Sequence, residues 1–271
     1  MKNTIQINMI ARGEELQYLL IAELTSIGFD AFEEKDNELD AFIKEENFEE
    51  NDLQDLLSHY KIDYKKTLIK HQNWNALWES NFPPVAVEDF CFIKAHFHPS
   101  IPGMKHEIVI TPKMSFGTGH HATTYMMVAQ MKNLDFSNKS VADFGTGTGI
   151  LAILAEKLGA KSVWAIDNDD WSIENALENI EKNNCSNIIL EKAEKFGNGQ
   201  LFDVILANIN KNVILDNAHL LAEAMKTGSQ LLLSGLMPDD EAEILKVMEQ
   251  YNIFKIKTLL KNNWISILLK Y

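Results

Sequence analysis

The chain has 271 residues, of which 46% are hydrophobic and 24% charged, and a formal net charge of −14. This is the composition of an ordinary folded protein. It contains no apolar run of the ~18 residues a membrane helix needs, and its charge balance excludes broad electrostatic binding to nucleic acid, which requires clustered Lys and Arg. The length suits one large domain, or a core domain carrying a small extra one.

Residues 1–8 alternate polar with apolar and lack the continuous apolar stretch of a signal peptide, so a soluble, cytoplasmic chain with no membrane partner is expected. Cys91 and Cys185 lie far apart without the Cys/His spacing of a zinc site, which argues against a disulfide scaffold and fits a reducing compartment. Residues 1–60 carry fifteen Asp and Glu against four Lys and Arg, most of the net charge. A solvated acidic face is the ordinary reading of such a segment. Electrostatic guidance of a basic protein partner is the sharper one.

Taken in order, Ile5–Ile10 has strand period, and Glu14–Leu24 places Leu16, Leu19, Leu20 and Leu24 on one helical face, with Gly28 after its end. Short strands over Phe29–Phe32 and Leu39–Ile43 flank the turn-prone Asp36-Asn37; a helix over Asn51–His59 and an extended run over Ile62–Ile69 follow. The order strand, helix, strand, strand, helix, strand is that of a small α+β ferredoxin-like domain over residues 1–69. Residues 70–88, with Trp74 and Trp78 at helical spacing and the helix-stopping Asn81-Phe82-Pro83-Pro84, read as an interdomain linker.

From residue 89 to 271 strands and helices alternate. Strands are expected over Phe90–Phe97, Glu107–Ile110, Ser140–Phe144, Ser162–Ile166, Asn187–Glu191, Phe202–Ala207 and Gln230–Leu233. Helices are expected over His120–Lys132, Gly149–Leu158, Asp170–Lys182 and Val213–Lys226, and an antiparallel pair, Ile253–Leu260 and Trp264–Leu269, closes the chain. This is a doubly wound, Rossmann-like α/β domain with a mostly parallel sheet and an antiparallel end.

The strongest local signal is Val141-Ala142-Asp143-Phe144-Gly145-Thr146-Gly147-Thr148-Gly149, a strand running into a glycine-rich turn and then a helix. Such a turn lets the backbone approach a ligand at the carboxyl edge of the sheet, where doubly wound folds bind nucleotides. The spacing G-x-G-x-G lacks the third glycine of a pyrophosphate site and is not followed by the Lys-Ser or Lys-Thr of a phosphate loop. Asp167 ends the next strand, about 20 residues on, where an acidic side chain accepts hydrogen bonds from both hydroxyls of a ribose. A nucleoside cofactor without pyrophosphate, such as S-adenosylmethionine, fits that combination better than a nicotinamide or flavin dinucleotide.

Upstream, Phe116-Gly117-Thr118-Gly119-His120-His121-Ala122-Thr123-Thr124 forms a tight loop entering a helix, with Thr123 and Thr124 in the first turn and their hydroxyls free for a ligand. His120 and His121 point about 100° apart on a helix with no acidic partner nearby, so no metal site is expected. Asp203–Asn208 is a buried strand whose terminal asparagine can both donate and accept at the same sheet edge.

Together these motifs resemble the family of methyltransferases that modify large-subunit ribosomal protein L-eleven (L11), called PrmA in bacteria. The resemblance covers nearly the whole chain. It rests on Trp74–Pro83, on Phe116-Gly117-Thr118-Gly119 with His121 and Thr123-Thr124, on Asp143–Leu151, on Asp167 and on Ala207-Asn208-Ile209. It implies contacts to S-adenosylmethionine from Thr124, Gly145, Asp167 and Asn208, with Gly147 and Phe116 beside them. It also implies N-methylation of L11 lysine side chains, with the N-terminal amine as a further candidate and the ferredoxin-like domain recognising the substrate; a methyltransferase of the same fold acting on another protein or a small molecule is the alternative reading. Two positions depart from the family pattern: His120 stands where threonine is common, and Asn210-Lys211-Asn212-Val213 replaces a small, proline-containing continuation. Cofactor contacts should tolerate both; the second lies beside the acceptor pocket. No residue is singled out as a catalytic base, because the neutral amine is itself the nucleophile and desolvation favours that form. The Asp/Asn-Pro-Pro-aromatic motif of DNA adenine methyltransferases is absent after Ala207.

Overall fold

The computed structural model describes residues 3–69, 82–113, 116–197 and 199–271, which belong to two compact units, Met1–Asn81 and Phe82–Tyr271. In the first, β1 (Thr4–Ile10), α1 (Glu14–Ser26), β2 (Ala31–Lys35), β3 (Glu38–Lys44), α2 (Glu50–Tyr60) and β4 (Tyr64–Ile69) follow in order. The four strands form an antiparallel sheet in the order β2-β3-β1-β4, the ferredoxin-like arrangement. Because strand side chains alternate between faces, Ile5, Ile7 and Met9 of β1 point to one side, where Leu20 and Leu24 of α1 and Leu53 and Leu57 of α2 cover them. The strand expected at Phe29 begins two residues later. Gly28, at φ +98°, turns the chain out of α1, Phe29 N–H bonds back to the Leu24 carbonyl (3.1 Å), and the Phe29 ring plugs the core as a helix cap.

Residues 70–81 of the expected linker, including Trp74 and Trp78, lie outside the described part. The rest of it enters the second unit, where β5 (Val85–Val87), β6 (Cys91–Ala95) and β7 (His106–Ile110) form a small separate sheet. The sequence alternation had placed β6 and β7 with the main strands. They stand apart because Ile93, Ile108 and Ile110 bury themselves against the helices on one face of the main sheet.

That sheet takes up α3 (Ala122–Met131), β8 (Ser140–Phe144), α4 (Ile150–Lys157), β9 (Ser162–Asp167), α5 (Asp170–Lys182), β10 (Ile188–Lys192) and β11 (Phe202–Asn208). It continues with α6 (Lys211–Asp216), α7 (Ala218–Glu223), β12 (Met225–Leu236), α8 (Glu241–Glu249), β13 (Phe254–Lys261) and β14 (Trp264–Lys270). Strand order is β10-β9-β8-β11-β12-β14-β13, parallel except for β14, which is antiparallel to both neighbours. Alternation along each strand fills two cores: Val141, Val163, Val204 and Leu206 face one, Ala142, Trp164, Ile205 and Ala207 the other. The sheet order reverses between β8 and β11, and such a switch point opens a crevice at the carboxyl ends of the strands.

Two expectations for helices need correction. The single helix over Val213–Lys226 is two short ones, α6 and α7, because the buried Asn217 between them turns its amide to the Val213 carbonyl (2.9 Å) and to Phe196 N–H (3.1 Å). The helix α8 was missed, although Ile244 and Met248, four apart and both fully buried, give it an inward face.

Candidate functional site

Three glycines make the turn after β8. Gly145, Gly147 and Gly149 all lie at positive φ, +72°, +55° and +80°, a region that side chains with a Cβ rarely enter. The turn is pinned from below, where Gly145 and Thr146 N–H both donate to the Ile166 carbonyl at 2.9 Å. It is pinned from the side by Asp167, whose Oδ2 accepts from Gly147 N–H (2.9 Å) while its Oδ1 accepts from Asp169 N–H (3.1 Å). The loop before α3 closes over it: Thr148 N–H donates to the Phe116 carbonyl (3.0 Å) and Thr148 Oγ1 to the Gly117 carbonyl (2.8 Å). A Cβ on Gly147 would stand 2.4 Å from the Phe116 carbonyl oxygen, so only glycine permits this approach.

Between turn and loop lies a cavity of about 510 Å³, and Phe116, Gly145, Gly147, Asp167 and Asn208 line it. Thr124 does not. It is buried, accepts from Asn208 Nδ2 at 3.3 Å, and lines an adjoining niche of about 20 Å³ together with Gly145 and Asn208. Thr123 lines the main cavity, but its hydroxyl is engaged with His121 Nδ1 at 2.7 Å. Asn208 Oδ1 is buried and has no hydrogen-bond partner among the described residues. An acceptor left in that state is costly, and here it belongs to a residue lining the cavity, where a ligand could satisfy it.

The two adjacent histidines part company, and no cluster able to hold a metal is found among the described residues. His121 caps α3 and stands edge-on to both Phe116 (5.2 Å) and Trp264 (4.9 Å) at the wall of the cavity. His120 turns away: its Nε2 meets the Pro83 carbonyl (2.8 Å), its Nδ1 the Thr118 hydroxyl (3.0 Å), and its ring packs on Phe82. The carbonyl can only accept, so Nε2 carries the proton. At the other departure from the family pattern, Asn210 caps α6 by accepting from Val213 N–H (3.1 Å), and Lys211 pairs with Asp240 and Glu243.

The chain matches the family described as "Ribosomal protein L11 methyltransferase (PrmA)" over residues 12–271. It belongs to this family. A ribosomal protein L11 methyltransferase of Porphyromonas gingivalis is 39% identical over 257 residues, covering 92% of this chain and 89% of the relative. One from Bacteroides fragilis is 35% identical over 263 residues, 94% of each. The crystal structure of a ribosomal protein L11 methylase from Lactobacillus delbrueckii subsp. bulgaricus superposes with a TM-score of 0.65 at 28% identity, over 69% of this chain and 98% of that one. A methyltransferase from Pyrococcus furiosus, 18% identical with a TM-score of 0.52, shares the fold over 60% of this chain and 88% of its own. The fold is that of Rossmann-like methyltransferases, and the chain is a methyltransferase.

Family membership leaves unexplained several lining residues that sequence reasoning passed over. Trp264 enters the sequence reading only as the start of a strand, and Gly235 does not enter it. Gly235 sits at φ +84° with Ile209 O 2.2 Å from where its Cβ would be, so the end of β12 shapes the cavity through Ile209. A glycine shortly after the buried Leu231–Leu233 run, at the edge where doubly wound folds bind ligands, was the available signal.

Beneath the turn, Asp143 is fully buried, and burial pushes its carboxyl up to about 7 despite donation to Oδ2 from Thr146 Oγ1 (2.6 Å) and Ala152 N–H (3.2 Å). A raised carboxyl binds its proton more tightly folded than unfolded, so its contribution to stability falls as pH rises from about 4 to about 7 and is level above. Glu178 works in the opposite sense: Lys113 and Lys182 hold it down to about 2, so its contribution is present above the ordinary carboxylate range and is lost as pH falls through that value. Urea midpoints should therefore decline between pH 5 and pH 8 in the natural chain and hold steadier in Asp143→Asn. A decline of the same size in both would remove Asp143 as its source.

Proposed function

We propose that the cavity at the switch point binds S-adenosylmethionine and that the chain transfers its methyl group to amines of ribosomal protein L11. The observation that carries the reading is the convergence on one cavity of a glycine cradle, the Asp167 carboxylate and Asn208, whose buried Oδ1 has no partner among the described residues. The chemistry supplied by the cofactor is a methyl group already activated on a sulfonium sulfur. The protein's part is to bind, orient and exclude water. Asp167 keeps lone pairs beyond its two backbone bonds for the ribose hydroxyls, the bare backbone at Gly145 and Gly147 allows close approach, and Asn208 accepts from a donor on the cofactor.

For the acceptor, the aromatic wall of Phe116, His121 and Trp264 suits the aliphatic stem of a lysine and its ammonium, through apolar contact and cation–π attraction. Removal from water also favours the neutral amine, the form with the lone pair. Lysine side chains and the N-terminal amine of L11 are the substrates we infer. Incubation with labelled S-adenosylmethionine and a ribosomal protein mixture tests this: label should appear in L11, and label confined to other proteins would overturn the assignment.

The first unit is the substrate-selecting part of this reading, on the strength of its acidic surface. Glu45, Glu46 and Glu49 are tested as glutamines, which remove the charge and keep an amide oxygen to accept from Asn3 Nδ2 where Glu45 does so (2.7 Å); Glu50 is left intact, because it bonds Tyr64 and Lys66. Changing these three to Gln should slow association with basic L11 and flatten its salt dependence, with cofactor affinity unchanged. Stopped-flow association at two ionic strengths reads this out, and equal rates and slopes would leave the acidic face a solvated surface only. Among the described residues no helix is long and apolar enough to cross a membrane.

A further inference from the structure

Three asparagines stand four residues apart where α5 meets β7: Asn175, Asn179 and, just past the helix, Asn183, all buried. Asparagine is a weak helix former, so three on one inward face require a reason. Asn183 Nδ2 donates to the Val109 carbonyl (2.6 Å), and its Oδ1 accepts from Val109 N–H (3.0 Å). Two residues along the strand, Asn179 Oδ1 accepts from Thr111 N–H (2.7 Å) and Asn175 Nδ2 donates to the Thr111 carbonyl (3.1 Å). Four helical residues advance about 6 Å and two strand residues about 6.6 Å. Side-chain amides at that helical interval can therefore serve alternate residues of a strand edge, as a neighbouring strand would.

Asn179 does one thing more. Its Nδ2 donates to the Thr148 carbonyl in the glycine-rich turn (2.8 Å) as well as to Asn175 Oδ1 (3.1 Å). Thr148 holds Phe116 and Gly117 through the two bonds described above. Thr111, where the chain leaves β7, and Phe116-Gly117, where it crosses the turn, are thus fastened to the same buried amide, one directly and the other through Thr148. Among the described residues the Asn183 side chain has no such link; it bonds Val109 and the Asn179 carbonyl.

We propose that Asn179 is a positioning residue for cofactor binding, fixing the glycine-rich turn and the loop over it in one geometry, while Asn183 stabilises the strand edge alone. The inference rests on the reading of the cavity as the S-adenosylmethionine site. Asn179→Asp and Asn183→Asp test it as a matched pair. Each aspartate can still accept from its strand N–H, and each sets a carboxylate oxygen against a carbonyl that the amide had served.

Both variants should melt below the natural chain. Calorimetric titration with S-adenosylmethionine should show affinity weakened at least about tenfold in Asn179→Asp and held within about threefold in Asn183→Asp. A merely structural role would lower both melting temperatures and leave the two affinities alike, and that result overturns the inference. If Asn179→Asp fails to fold, residue-resolved hydrogen exchange on the natural chain decides. Adding S-adenosylmethionine should slow exchange at Thr111 N–H together with Thr148 N–H and leave Val109 N–H unchanged, and an unresponsive Thr111 overturns the proposal. Failure of the natural chain to bind S-adenosylmethionine would instead overturn the underlying reading.

Discussion

Asp167→Ala should weaken S-adenosylmethionine binding by at least ~1.5 kcal/mol, more than about tenfold in Kd. Loss of two charge-assisted hydrogen bonds to a ribose would by itself give an effect of that size. The structure adds a second loss, because the same carboxylate anchors Gly147 N–H at 2.9 Å and Asp169 N–H at 3.1 Å, and with alanine both the turn and the entry to α5 lose their acceptor. Asp167→Asn separates the two effects. Its amide oxygen can still take the Gly147 N–H, while the charge and one acceptor are gone. Calorimetry should therefore rank affinity natural chain, then Asn, then Ala, with Ala also showing the lower melting temperature. Unchanged affinity in Asp167→Ala with an intact fold would remove Asp167 from the cofactor site.

What the sequence disclosed, it disclosed through local periodicity and through residues whose backbone needs are singular. The glycine-rich turn was legible because Gly145, Gly147 and Gly149 follow a strand without a gap, and the ferredoxin-like order because β1 alternates and α2 carries a clear inward face; in α1 Leu20 and Leu24 turn inward as expected, but Leu19 is exposed and Gln17 is buried instead. Asn208 was legible as the polar end of a buried run. Thr124, which both its place in the first turn of α3 and the resemblance offer to the cofactor, meets Asn208 and lines the niche beside the cavity, a partnership the motif does not disclose. Trp264, Gly235 and the asparagines of α5 stayed hidden because their partners are distant in sequence: His121 for Trp264, Ile209 for Gly235, Thr111 and Thr148 for Asn179. Pairing of that kind is set by tertiary contact, which propensity and period do not encode.

Gly145 illustrates the limit from the other side. A side chain there would be expected to fill the cofactor's space, but the first atom it meets is Ile209 Cγ2, 2.2 Å from the Cβ position. Ile209 is therefore held between two glycines, its side chain against Gly145 and its backbone against Gly235.

That clamp makes Gly235→Ala a disruptive methyl. The new Cβ would lie 2.2 Å from the Ile209 carbonyl oxygen and 2.8 Å from its carbon, both backbone atoms that no rotamer change can move. Displacing Ile209 also drags its neighbour Asn208, whose amide reaches Thr124 and whose side chain lines the cavity. A left-handed alanine costs roughly 1–2 kcal/mol and overpacking roughly 1–3 kcal/mol, so a loss of about 2–5 kcal/mol in unfolding free energy is expected. Gly228 supplies the control, since it has a similar φ of +81° with nothing within 4 Å of a Cβ. Gly228→Ala should show the backbone penalty alone and bind S-adenosylmethionine as the natural chain does. Urea unfolding should then separate the two variants by the clash, and calorimetry should find cofactor affinity lowered only in Gly235→Ala. Equal losses of stability with equal affinities would mean that Ile209 yields freely and that the end of β12 does not shape the site.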